Sequence, residues 1–240
     1  MSTFARGLVG ALLSISPILF TVPAAAEDAG ALFKVAREWV AQDSETQIDF
    51  IAGTRLVDRL AKLEGAEAAL WRLRVLSRAL AGLDEENKQK AAVRAWIEKH
   101  DNEVVYSEPS GEYYVIQDRL WELYEKSKSS PLAEEIAWEA AQTPLAGECE
   151  GYLACYTEAD LRGQGRYLEL YPRGQWAGEA LENIYWLTET PSPEDFPLDP
   201  SDIATCKQIF DHWRKILAAI PDADPQRKGL EKLAKAYKIK

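Results

Sequence analysis

Histidine, methionine and cysteine are scarce in this chain, with two, one and three residues among 240. That leaves little material for a Cys/His metal site or for catalysis built on an imidazole. Positive charge is also short. Lysine and arginine number 28 against 39 acidic residues, a net charge of −11, which argues against a nucleic-acid footprint. No H-E-x-x-H, no G-x-S-x-G and no glycine-rich phosphate loop occurs. Beyond the N-terminus, no apolar run is long enough to cross a bilayer. What the chain does have is 47% apolar and 28% charged residues, a composition that folds and stays soluble and that excludes disorder and collagen. Its length suits one large domain or two small ones.

The first 26 residues have the form of a cleavable secretory signal. Arg6 supplies the positive charge, Gly7 to Val22 carry none, Pro23 breaks the run, and Ala24, Ala25 and Ala26 provide small residues before Glu27 and Asp28. The uncharged run is shorter than the ~20 residues a spanning helix needs. The residue directly after Ala26 is Glu27 and not a cysteine, which argues against a lipid anchor. Cleavage removes one arginine and no acid, so 27 basic side chains face 39 acidic ones in the mature chain, a net charge of −12. The expected location is the periplasm or the exterior, with no membrane span after cleavage.

Outside the cytosol cysteines are disulfide candidates. Three pairings of Cys149, Cys155 and Cys206 are open on sequence alone. Cys149–Cys155 is favoured, because a loop so short closes easily and Gly151 permits a tight turn. C-x5-C has neither redox spacing nor a second ligand pair beside it. Cys206 would then be a free thiol on the apolar side of a helix.

Periodicity after the signal is helical almost throughout. Helices are expected over residues 28–43, over 48–63 behind an Asp43-Ser44 cap, over 68–80 ending at Gly82, and over 91–97 ending near His100. Residues 101–111, with Pro109 and Gly111, read as a loop with at most a short extended piece, and as a break between two parts of the chain. A helix is expected from Tyr113 to Lys126. The next starts at Ser130-Pro131 and reaches Gln142, and another runs from Leu153 to Tyr171, softened by Gly163 and Gly165. Further helices cover Trp176 to Leu187, a stretch from Ser201, and a last one capped by Asp222 or Asp224. No strand pair is expected. The division is a signal over 1–26, an N-terminal helical part over 27–105 and a C-terminal helical-repeat part over 106–240, all-α, in stacked antiparallel hairpins.

A self-match supports the repeat. RYLELYPRGQWAGEALENI begins at Arg166, and RLWELYEKSKSSPLAEEIAW begins 47 residues earlier at Arg119, with a longer turn. Leu168, Pro172, Leu181 and Ile184 map 49 residues on to Leu217, Pro221, Leu230 and Leu233. A lone hairpin of amphipathic helices cannot bury both apolar stripes, whereas stacked hairpins can. The segment resembles the repeats of tetratricopeptide-like proteins, in particular the exported bacterial kind of envelope assembly. Tyr167, Pro172, Ala177 and Ala180 occupy that family's aromatic, proline and small-residue slots. Asp160 and Gln164 stand where the family has a small residue and a large aromatic, and Gln226 and Gly229 stand in two alanine slots. The resemblance implies an α-solenoid scaffold that binds other proteins on a concave face, with no catalytic residue, no cofactor and no metal.

The remaining chemistry is sparse. His100 closes a helix, His212 lies between Asp211 and Trp213, and His212 is six residues from Cys206, off its helix face. Glu134, Glu135, Glu148, Glu150, Glu179 and Glu182 read as solvated helix faces and helix starts. Eight tryptophans are unusual. Trp71, Trp96, Trp138 and Trp213 suit the spaces between hairpins. Trp176 and Tyr152 lie near turns and are the candidate ligand contacts. The expected function is therefore a non-catalytic envelope scaffold for a protein or peptide partner. The alternative is an envelope peptide- or glycan-binding protein that uses exposed Trp and Tyr.

Overall fold

Leu32 and Ala36, four residues apart, are both buried on one side of the first helix, α1 (Ala29–Val40). This spacing of buried apolar residues recurs along the computed structural model, which describes residues 28–42, 49–145, 147, 149, 151–189 and 191–239. The expected signal and the Asp43-Ser44 cap lie outside the described residues. The chain continues through α2 (Phe50–Leu60), α3 (Ala66–Ala81), α4 (Glu85–Lys88) and α5 (Ala91–Lys99). A hairpin of β1 (Val104–Ser107) and β2 (Glu112–Val115) follows. Then come α6 (Gln117–Lys126), α7 (Ala133–Gln142), α8 (Leu153–Asp160), a π-helical turn (Leu161–Gly165) and α9 (Arg166–Leu170). The last elements are α10 (Ala177–Glu182), α11 (Trp186–Glu189), a 3₁₀ turn (Pro200–Asp202), α12 (Ile203–Ala218) and α13 (Asp224–Ala236). The protein is mostly helical, as its periodicity predicts.

Local chemistry sets the helix ends. Asp28 accepts from the Gly30 N–H, and Asp49 accepts from the N–H groups of Ile51 and Ala52, so each satisfies donors that a helix start leaves orphaned. Gly82 closes α3 and His100 closes α5.

The strand pair is a departure from the helical reading of residues 113–116. Val104 pairs with Val115 and Tyr106 with Tyr113, antiparallel. Val104 and Val115 are buried, and two residues along each strand toward the turn, on the same face, the Tyr106 and Tyr113 rings meet at 4.9 Å. Tyr113, Tyr114 and Val115 suit a pleated surface better than a helix. Gly111, at φ 68°, makes the reversal. The helix therefore begins only at Gln117. The break expected between residues 105 and 106 falls inside β1, and one buried apolar cluster draws on both sides of it, from Leu32 to Ile239.

Two other elements differ from their periodicity. The run from Leu153 to Leu170 stays helical but widens to a π turn at Leu161–Gly165. The helix expected from Trp176 to Leu187 breaks after Glu182. Ile184, Trp186 and Leu187 are all buried, and residues 184 and 186 would point to nearly opposite sides of one helix.

Successive pieces pack on their predecessors. Helices α1 and α2 lie on α3, which meets β2 and α6. Helix α6 lies on α7, α7 on the π turn and α9, α12 on α8 and the π turn, and α13 on both α11 and α12. Charge ties reinforce this order. Arg72 holds Glu103, and Arg74 bonds Glu139 and Glu135 at 2.8 Å each, joining α3 to α7. Burial opposes the charge of Glu103, but the Arg72 guanidinium wins and holds its carboxyl below the usual range. The tryptophans expected between hairpins, Trp71, Trp96, Trp138 and Trp213, all pack against the core.

Candidate functional site

Tyr156, Asp160 and Gln164 recur at four-residue steps and so form a stripe along α8 and its π turn. The stripe faces the C-terminal end of α7, where helical carbonyls lack intrahelical partners. Two glutamines reach those carbonyls. Gln164 Nε2 donates to Ala141 O at 3.1 Å, and Gln117 Nε2, from the start of α6, donates to Thr143 O at 3.1 Å. A carbonyl only accepts, so each amide must present its NH2 group to α7. Each amide oxygen is thereby turned away from α7, buried, and without a hydrogen-bond partner among the described residues. Both glutamines are more than nine-tenths buried.

The π turn owes its place to two glycines. A Cβ on Gly163 would sit 3.0 Å from Ala141 O, and one on Gly165 would sit 2.9 Å from Leu161 Cδ1 and 3.0 Å from Trp213. A side chain at either position would push the Ala141 carbonyl or the Leu161 and Trp213 side chains away, so the glycines let the turn lie close to α7 and α12. π turns inside α-helices occur often at functional sites.

Asp160, the last residue of α8, is the third acceptor. Its Oδ2 is buried and has no partner among the described residues. Burial raises its pKa to about 7, and a hydrogen bond from the Trp186 indole offsets this only in part. Aromatic rings crowd this corner: Tyr156 lies 5.0 Å from Trp186, Tyr185 4.2 Å, and Phe196 5.1 Å. The Tyr185 hydroxyl is shifted upward by desolvation and then by the charges of Asp160 and Tyr156.

Asp160, Gln117, Gln164 and Tyr156 line one cleft of about 740 Å³. That volume falls in the range of small-molecule pockets. The disulfide Cys149–Cys155, with Cα atoms 5.3 Å apart, forms part of its wall. Glu158 and Arg162 stand exposed at the rim, and Arg162 lies 3.5 Å from Asp118. The cleft thus offers a buried carboxyl, two amide oxygens and an aromatic ring, an inner polar set made of acceptors. It can hold a donor-rich group, and the carboxyl can exchange a proton near neutral pH.

The other sequence candidates sit elsewhere. Trp176 is half-buried and its ring lies parallel to Trp138 at 5.8 Å, while its backbone N–H donates to the Tyr167 hydroxyl. Tyr152 is exposed beside the disulfide loop. Neither lines the cleft. Cys206 is unpaired and fully buried, and burial pushes its thiol up to about 12. His212 is on the surface, 3.4 Å from Glu169, and His100 stacks on Trp96 at 3.8 Å. Glu134 clamps the Tyr167 hydroxyl and the Gln175 N–H, Glu135 meets Arg74, and Glu179 and Glu182 are exposed. Glu148 and Glu150 lie outside the described residues. Among the described residues no cluster of three His, Cys, Asp or Glu could hold a metal ion, and no helix is long and apolar enough to cross a membrane.

Asp160 and Gln164 had a visible signal in the sequence: both depart from the small-residue and aromatic slots of the expected repeat. Gln117 had none, because it is brought in from another hairpin. Comparisons with protein-family models, curated proteins and solved structures return no match to this chain.

Proposed function

We propose that the chain is an exported, non-catalytic binding scaffold of tetratricopeptide-like helical hairpins that holds a protein or peptide partner in a bacterial envelope. The N-terminal signal pattern and the disulfide support export. The sequential packing of helical pairs and the matched buried positions Leu168 and Leu217, Leu181 and Leu230, and Ile184 and Leu233 support the repeat reading.

The observation that carries the binding role is the cleft at the α7–α8 junction. Three buried polar oxygens there have no partner among the described residues, a cost that a purely supportive junction would avoid by using apolar side chains. A photo-crosslinking amino acid placed at Glu158, on the rim, tests this. It should capture one defined envelope protein in living cells that the same label at Ile203, exposed on α12, does not. The same products from both positions, or none from Glu158, would remove the cleft from the binding role.

A further inference from the structure

Resting on that binding reading, we propose that the α7–α8 cleft recognises a primary ammonium group of a partner peptide, seated among Asp160 Oδ2, Gln117 Oε1 and Gln164 Oε1 beside the Tyr156 ring. The inventory leads to this class. All three oxygens are buried and have no hydrogen-bond partner among the described residues, and all three residues line the same cleft. The two amides cannot turn to offer donors, because α7 carbonyls hold their NH2 groups. A phosphate, sulfate or carboxylate would therefore meet three acceptor oxygens at this inner end, with the charged donor Arg162 only at the exposed rim. An ammonium group carries three N–H donors and no acceptor, and its positive charge complements the single carboxyl. The faces of Tyr156 and its aromatic neighbours favour a cation as well. The rim does not oppose it: Arg162 lies beside Asp118, and Glu158 adds negative charge.

The titratable and charged groups facing Asp160 are Tyr156 and Glu158 on its own helix, Arg162 on the π turn, and Tyr185 before α11; Gln117 and the α7 carbonyls add dipoles without charge. Among these, Asp160 alone has a pKa placed at about 7. Binding needs the Asp160 carboxylate together with a protonated amine, so affinity for a side-chain ammonium should be full above pH 8, whereas an α-ammonium, which ordinarily loses its proton near pH 8, should bind best around that pH. Either affinity should fall by about tenfold for each pH unit below the titration of Asp160.

The test is a set of NMR titrations of the purified chain at pH 8. N-acetyl-lysine amide presents only a side-chain ammonium, alanyl-alanine amide presents only an α-ammonium, and N-acetyl-norleucine amide presents neither. One of the two ammonium probes should move the backbone signals of Asp160 and Gln164 and the Trp186 indole signal, and which one does so identifies the source of the group. The norleucine probe should leave those signals in place. Asp160→Asn should weaken binding on the order of 10–100-fold, the worth of one charge-assisted contact, and should abolish its pH dependence. Circular dichroism confirms that the variant is folded, and Gln164→Leu, uncharged and of similar size, provides a second variant that should also weaken binding. Equal shifts with norleucine, or unchanged affinity in Asp160→Asn, would overturn the ammonium assignment. So would no shift with either ammonium probe at tens of millimolar. If Glu158 still captures its partner in cells while these probes fail, only the cation chemistry falls. If both fail, the cleft reading falls with it.

Discussion

Replacing Asp160 with asparagine should make the protein more stable, and the gain should depend on pH. The carboxyl titrates at 3.8 in an unfolded chain and at about 7 in the folded one. Between those values the folded state keeps a proton that the unfolded state releases. A raised pKa therefore contributes stability at low pH that is lost as pH rises through about 7. The interval is roughly 3 pH units, at about 1.4 kcal/mol each, so the loss is at most roughly 4 kcal/mol. Asparagine does not titrate and can still accept from the Trp186 indole. The wild-type and Asp160→Asn curves should lie close together near pH 4, separate from there to pH 7, and run parallel above pH 8 with the variant higher. Glu103, Asp211, Asp224 and Glu231 have the opposite sign, because arginine partners hold them low and acid removes their contribution. Both proteins share that acid loss, so the difference between the curves isolates Asp160. Urea unfolding followed by tryptophan fluorescence at half-unit steps from pH 4.5 to 8.5 measures it. A flat difference, or a variant that is less stable at pH 8, would refute the account of a desolvated carboxyl.

Gly229→Ala should cost about 3 kcal/mol or more in the same assay, because its Cβ would lie 1.4 Å from the Leu187 carbonyl oxygen, where α13 crosses α11. Gly178→Ala is the control: nothing lies within 4 Å of its Cβ, and stability should hold or rise slightly. Replacing both Cys149 and Cys155 with serine should cost roughly 2 kcal/mol, the entropy of a loop spanning a separation of 6 residues, and a reducing agent should lower wild type alike while leaving the double variant unchanged. The Cys206 thiol, buried and raised to about 12, should resist a thiol reagent at pH 8 and react only as fast as the chain unfolds. Rapid labelling of native protein would contradict its burial.

The legible parts of the fold were those set by neighbours in sequence. Leu70, Leu73, Leu76 and Leu80 bury as their spacing on α3 requires, and Gly82 ends that helix. The short Cys149–Cys155 pairing followed from loop length. The illegible parts were those decided by distant contacts. Tyr113, Tyr114 and Val115 carry a helix-compatible pattern, and only pairing with residues 104–106 makes them a strand. Glycines 163 and 165 looked like weak points in a helix. Their role appears only when Ala141 O and the Trp213 ring are placed against them. Gly229 looked like a defect in an alanine slot, yet the Leu187 carbonyl leaves room for nothing larger. Asp160 and Gln164 stood out from the repeat pattern, but their meeting with Gln117 depends on how α6 and α7 pack.

The polar stripe has one property that separates a binding role from a supporting one. A side chain retained for the fold should, on removal, lower stability. Asp160 Oδ2 is buried without a partner among the described residues, and the carboxyl costs the folded state energy whenever it is ionised. The same asparagine substitution is therefore expected to act with opposite signs in two assays, raising stability at pH 8 and lowering ammonium affinity at pH 8. A purely architectural aspartate would lower stability, and a neutral surface one would change neither. Local strain and uncompensated polarity persist in proteins where another requirement outweighs them, and they cluster at sites. Here they gather around one cleft: a carboxyl oxygen and two amide oxygens without a partner among the described residues, and a π turn whose two glycines sit close against their neighbours. Gain of stability with loss of binding, in a single variant under one buffer, is the result that ties this stripe to its partner.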